Sequence, residues 1–114
     1  MILTYCVDID GTICDNVICT EYNNYETSTP KLSRIAEINK LYDQGHIIKY
    51  FTARGMGRHK DSRVLAQRDF YDITYNQLVS WGCKFHNLIL GKPSADFYID
   101  DKSINDKEFF KDCP

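Results

Sequence analysis

Apolar positions along this chain fall into short blocks of two different periods. Residues 2–7 form a nearly continuous apolar run one strand long, as expected of a parallel strand buried on both faces. From Thr12 to Thr29 the pattern dissolves into a polar, tyrosine-bearing tract, so residues 11–29 read as a loop or small flap. Tyr22 and Tyr25 within it are expected to do no more than cover the surface. Thr29-Pro30 is a helix-start signal, an N-cap residue followed by proline at the first helical position. Leu32, Ile35, Ala36, Ile38, Leu41 and Tyr42 then recur at helical spacing, and Gly45 supplies the stop. Residues 46–51 form a second strand ending at Thr52, and residues 53–60 a basic, glycine-containing loop. A second helix is predicted over 61–81, with Val64, Leu65, Phe70, Ile73, Leu78 and Val79 facing the core and Gly82 ending it. Residues 85–90 give a third strand, 97–99 a fourth, and a short helix follows from Asn105.

Strands alternating with helices call for an α/β fold whose sheet is mainly parallel, joined by right-handed crossovers. Ligands of such sheets bind at the carboxyl ends of the strands. The polar residues fall at those ends: Asp8 and Asp10 after the first strand, Thr52 after the second, Lys92 in a Gly-Lys-Pro turn after the third, and Asp100-Asp101 after the fourth.

Composition narrows the class. A chain of 114 residues holds one domain, here residues 1–114, with little room for a second. Its net charge of -2 argues against a dedicated nucleic-acid binder. No apolar run is long enough to span a bilayer, and no basic segment precedes the first strand, so neither a membrane partner nor a signal peptide is expected. Five cysteines (Cys6, Cys14, Cys19, Cys83, Cys113) are an odd number without close pairing, which points to reduced thiols and the cytosol. A zinc site built from Cys14, Cys19 and a histidine lacks any Cys-x-x-Cys support.

The most informative stretch is Asp8-Ile-Asp10-Gly11-Thr12. Alternation along a strand puts Asp8 and Asp10 on one side, where two carboxylates repel unless a cation lies between them. Oxygen ligands from one tight segment suit Mg2+, which makes metal-assisted phosphoryl transfer the leading chemistry. Taken singly, Thr52 is a strand-end cap, Lys92 an exposed lysine and Asp100-Asp101 a helix N-cap with a solvated neighbour.

In order along the chain, Asp8-Ile-Asp10-Gly11-Thr12, Thr52 within Phe-Thr-Ala-Arg, Lys92 within Gly-Lys-Pro and Tyr-Ile-Asp100-Asp101 resemble the four motifs of the haloacid dehalogenase superfamily of phosphotransferases. The resemblance implies a Rossmann-like three-layer sandwich. It implies Asp8 as the nucleophile that forms an aspartyl phosphate, and Asp10 as general acid and then general base. It further implies Mg2+ held by Asp8, the Asp10 carbonyl and Asp100, with Asp101 near or through water. Thr52 and Lys92 are then the groups that hold the transferring phosphoryl group. Gly11, Thr12 and Ala53, inside the motifs, are expected to line the substrate. About nineteen residues separate Asp10 from Pro30, and one helix and one strand fill the stretch from Arg54 to Gly91. Neither holds a cap domain, so the resemblance is to the capless type, whose open site is covered by a flap or by a neighbouring subunit in a homo-oligomer.

Arg54, Arg58, His59, Lys60 and Arg63 crowd the stretch after Thr52. They are either a solvated helix start or, for Arg54 above all, a binding group for a substrate carboxylate or second phosphate. The Phe-Thr-Ala-Arg stretch and small size resemble bacterial capless phosphatases of capsule and lipopolysaccharide sugar pathways, implying a small phosphorylated metabolite such as a sugar or polyol phosphate. Two alternatives stand beside it. One is a nucleotide or polynucleotide phosphatase, disfavoured by net acidity. The other is a non-enzymatic phospho-acceptor, disfavoured because Asp10 provides a base for hydrolysis.

Overall fold

In a computed structural model the chain is an α/β domain built on a short parallel sheet; residues 1–17 and 25–113 are described. Cys19, Tyr22 and the middle of the expected flap lie outside them. The elements run β1 (Thr4–Val7), a 3-10 turn (Tyr25–Thr27), α1 (Leu32–Asp43), β2 (Ile47–Thr52), α2 (Arg63–Ser80), β3 (Asn87–Leu90) and α3 (Asp106–Phe109). Strand order is β1-β2-β3, both pairings parallel, with Val7 opposite Tyr50 and Thr52 opposite Leu90. The Rossmann-like α/β class expected from the alternation of strands and helices is therefore present. Helix α1 packs on β2 and α2 on β3. The core between them gathers Val7, Ile9, Ile13, Ile35, Ile38, Ile48, Tyr50, Phe70, Leu78, Leu88, Leu90 and Phe110.

Three expectations are corrected. No strand forms over residues 97–99, which lie irregular and exposed. The sheet thus ends at β1 among the described residues. For the same reason only Val7 of β1 is buried, because a strand at the rim of a sheet has nothing beyond it. Helix α1 starts after Lys31 with no side-chain cap, not at Thr29-Pro30. Thr29 and Asp15 are engaged elsewhere: the Asp15 N–H donates to the Thr29 carbonyl, the Thr29 N–H donates to Asp15 Oδ1, and Cys14 bridges to Pro30. Val64 and Val79 face solvent, while Ala66, Thr74 and Gln77 take places in the interior alongside Phe70 and Leu78. Helix α2 is capped by Ser62, whose side chain accepts from the Leu65 N–H at 3.3 Å.

The loop between β2 and α2 depends on Gly55. Its φ of +80° suits glycine, and an added Cβ comes within 2.5 Å of the Phe70 ring. Gly55→Ala is expected to destabilise the fold by about 1–3 kcal/mol, read as a lower urea midpoint at unchanged slope.

Candidate active site

The carboxyl ends of β1, β2 and β3 deliver Asp8, Thr52 and the Gly91-Lys92 turn to one place. The Lys92 N–H donates to the Thr52 carbonyl at 3.1 Å, which ties the turn after β3 to the end of β2. Lys92 Nζ then reaches Asp8 Oδ1 at 3.3 Å. The other Asp8 oxygen accepts from Thr12 Oγ1 at 2.8 Å. Thr12 is brought there by a tight turn in which the Thr12 and Ile13 N–H groups both donate to the Ile9 carbonyl. Gly11 opens this turn with φ +83°, and the Asn16 side chain fills the space that a Cβ would need. Asp8 keeps partial access to water, with its side chain 33% exposed. Thr52 is buried, its hydroxyl accepting from the Arg54 N–H at 3.1 Å, and Ala53 is half-buried between them.

Asp10 faces a different partner. Arg54 donates to it through both Nε (2.9 Å to Oδ2) and Nη2 (3.0 Å to Oδ1), a two-pronged pairing that matches guanidinium to carboxylate. The Arg54 side chain is 0% exposed. Its Nη1 donates to Gln77 Oε1 at 2.7 Å and to Thr74 Oγ1 at 3.2 Å, both on α2, and the Tyr25 ring lies 4.7 Å from its guanidinium carbon. Gln77 Nε2 in turn donates to the Tyr25 carbonyl, and the Gly55 N–H donates to the Tyr25 hydroxyl. A buried guanidinium with this many fixed partners holds Asp10 and does not reach out to a substrate. That corrects the expected binding role of Arg54. It also corrects the surface role given to Tyr25, which packs on Arg54 and edge-on against Phe70.

The repulsion between the two carboxylates is therefore relieved by two cations of the chain itself, Lys92 on Asp8 and Arg54 on Asp10. Asp100 and Asp101 do not join them. Asp100 is turned into its own local loop, accepting from the Lys102 N–H at 2.6 Å and Ser103 Oγ at 2.7 Å. Those hydrogen bonds, the Ser103 hydroxyl foremost, hold its carboxyl below the usual carboxylate range. Among the described residues no three His, Cys, Asp or Glu side chains gather closely enough to hold a metal ion. Within one chain the donors expected for Mg2+ thus reduce to the Asp8 carboxylate and the Asp10 carbonyl, since Arg54 engages only the Asp10 side-chain oxygens. Mg2+ keeps several waters and takes only one or two carboxylates beside a substrate phosphate, so this smaller donor set is still compatible with it.

His59 and Arg58 also have other partners. His59 Nε2 lies 2.8 Å from Asp69 Oδ2, and the Arg58 guanidinium sits 5.2 Å over the Phe70 ring. Arg58 lines a cleft of about 450 Å³ with Tyr25, Glu26, Arg68, Asp69, Phe70 and Ile73. This cleft borders α2, not Asp8, so its size says little about where the chemistry sits. Direct donors at Asp8 are a better guide to the reacting end.

Gln77 and Thr74 escaped the sequence reading, and Cys14 entered it only as a zinc candidate. Thr74 and Gln77 are polar residues on the α2 face that also carries Phe70 and Leu78, and that interruption of an apolar stripe was the available signal. Cys14 is fully buried, its Sγ donating to Asp10 Oδ1 at 3.5 Å. Burial first, and then the Asp10 charge, push its thiol up to about 12. At pH 8 almost none of it is thiolate, so iodoacetamide is expected to leave Cys14 unmodified in the folded protein while the exposed Cys6 reacts. Peptide mass spectrometry after timed labelling reads the difference; equal labelling rates would contradict the burial.

No protein-family model and no curated protein matches the chain. A solved crystal structure of a structural-genomics target from Vibrio cholerae is similar, with TM-score 0.83 and 24% identity over 95% of this chain and 87% of that one. At that identity the likeness shows the fold alone. No helix among the described residues is long and apolar enough to cross a membrane.

Proposed function

We propose that the chain is a phosphomonoester hydrolase that works through Asp8 on a small phosphorylated metabolite, with a sugar or polyol phosphate of surface-polysaccharide synthesis as the first class to test. The observation that carries this reading is the contact of Lys92 with Asp8 at 3.3 Å, in a carboxylate that Thr12 orients from its other side. A phosphoryl group presented to Asp8 meets the ammonium that neutralises its oxygens, with the Thr52 hydroxyl in the same strand-end layer.

In the first step an Asp8 oxygen forms a bond to phosphorus, the ester P–O bond breaks, and the leaving alcohol oxygen takes a proton from Asp10. In the second, water attacks the aspartyl phosphate, Asp10 accepts the water proton, and the Asp8–phosphorus bond breaks to release inorganic phosphate. Both Asp10 oxygens accept from Arg54, which fixes the carboxylate while leaving a lone pair of Oδ2 to take or give the proton. The open Asp8 side and the fixed Asp10 side therefore have different work: one meets phosphorus, the other handles the proton. Mg2+ remains part of the proposal as an added charge on the phosphoryl group. Asp8 and the Asp10 carbonyl would hold it there, and no step here runs through it.

The test is phosphate release from a panel of phosphorylated sugars, polyols and nucleotides, with and without Mg2+. Turnover of a sugar or polyol phosphate, abolished by EDTA and restored by Mg2+, is expected. Preference for nucleotides with steep salt dependence would move the assignment to the nucleotide class. Asp10→Asn is expected to stop turnover, with phosphorylated protein accumulating if the second step suffers more; wild-type rates in that variant would remove Asp10 from the scheme.

A further inference from the structure

The chain leaves two complementary features unused. The first is the outer edge of β1: the strand pairs with β2 on one side, and nothing among the described residues pairs with the other. Its sequence, Thr-Tyr-Cys-Val, carries no charge or proline of the kind that blunts a sheet edge, and Ile2 ahead of it is 70% exposed. The second is the segment 97–99, Phe-Tyr-Ile, with strand-forming side chains and no strand to belong to. Phe97 and Ile99 are 83% and 94% exposed, and Ile104 beyond them is exposed as well. In a strand, alternation would put Phe97 and Ile99 on the same side; here the Tyr98 ring lies 4.2 Å from Lys92 Nζ.

This segment belongs to an arm anchored at both ends. Lys92 is tied to Thr52 and Asp8 at one end. At the other, Asn105 caps α3 and Asp106 pairs with Arg34 at 2.7 Å. Four residues separate Lys92 from Phe97. A strand lying parallel to β1, with Asp100 emerging at the same end as Asp8, has to begin at the far end of the sheet. Parallel neighbours within one chain are joined by a crossover of about a dozen residues or more. Four residues are short of that, whereas a strand from another molecule is under no such limit.

We propose that a second copy of this chain supplies the missing strand: residues 97–99 of each subunit add to the β1 edge of the other, bringing Asp100 and Asp101 to the partner's Asp8. A two-fold arrangement satisfies both open edges and both arms at once, and reciprocal exchange of one segment is a low-cost route to a dimer. The exchange covers the exposed side chains of Phe97, Ile99 and Ile2 in both subunits at once. The exchange also gives each Asp8 a further carboxylate that its own chain turns away. The role given to Asp100 and Asp101 rests on the hydrolase reading; the exchange itself does not.

The experiment has a mass arm and an activity arm. Light scattering on the intact chain at tens of micromolar is expected to give about 27 kDa, twice the 13.3 kDa of one chain. The double variant Phe97→Asp/Ile99→Asp is expected to run as a monomer with an unchanged helical circular dichroism spectrum. A monomeric wild type, or a double variant that stays dimeric, overturns the proposal. In the activity arm, Asp8→Asn and Asp100→Asn are made separately and then coexpressed. Shared sites restore about a quarter of wild-type phosphate release, because half the dimers are mixed and each mixed dimer holds one complete site. No restoration from two inactive variants of an active dimeric enzyme also overturns it. If wild type hydrolyses none of the phosphates tried, the hydrolase reading fails and the mass arm alone decides the exchange.

Discussion

Replacing Asp8 by asparagine is expected to end phosphate release, a loss on the order of 10⁴-fold or more, while the fold stays intact. Asparagine keeps the size of the side chain but removes the anionic oxygen that forms the bond to phosphorus. The cost in stability should be small. Asp8 is partly exposed and its ion pair with Lys92 is long, and such pairs contribute about 0–1 kcal/mol. Melting temperature and circular dichroism therefore serve as the control, and phosphate release as the readout. Lys92→Ala tests the same geometry from the other side, with an expected loss of about 10²–10³-fold. If Asp8→Asn turned over at the wild-type rate, the nucleophile would lie elsewhere and the proposed function would fall with it.

The second large effect is on stability. Arg54→Ala removes a guanidinium with no solvent exposure and leaves Asp10, Thr74 and Gln77 around an empty, polar-lined space. Breaking a buried ion pair from one side costs about 3–5 kcal/mol, a large part of the 5–15 kcal/mol that holds a domain of this size together. A fall in melting temperature of more than about 10 °C is expected. Arg54→Lys should recover only part of it, because an ammonium cannot make the two parallel bonds to Asp10. A melting temperature within 2 °C of wild type, as an approximate margin, would mean that water reaches Asp10 freely and that the pair contributes little.

These two arginine and lysine contacts also separate what could be read early from what could not. Asp8 and Asp10 stood out because two acids at the end of an apolar strand need a reason to be there. The reason inferred was a divalent cation, and the structure adds a cation of the chain to each, Lys92 on Asp8 and Arg54 on Asp10. Sequence offered Arg54 as a basic residue in a basic stretch, and nothing local distinguishes a guanidinium that ends in solvent from one that ends in the interior. Its burial is decided by Thr74 and Gln77, at least twenty residues away and brought back by α2, and by Tyr25 from the other side.

By itself the sequence determined the alternation of strands and helices, the parallel sheet, and the placement of Asp8, Thr52 and Lys92 at neighbouring strand ends. Those follow from periodicity and from short-range chain geometry, which act within a few residues. Tertiary structure alone decided that residues 97–99 stay off the sheet, that Asp100 turns into its own loop, and which cation each carboxylate meets. Partners far apart in the chain are selected by how the elements pack, and no local pattern of apolar and polar residues encodes that choice.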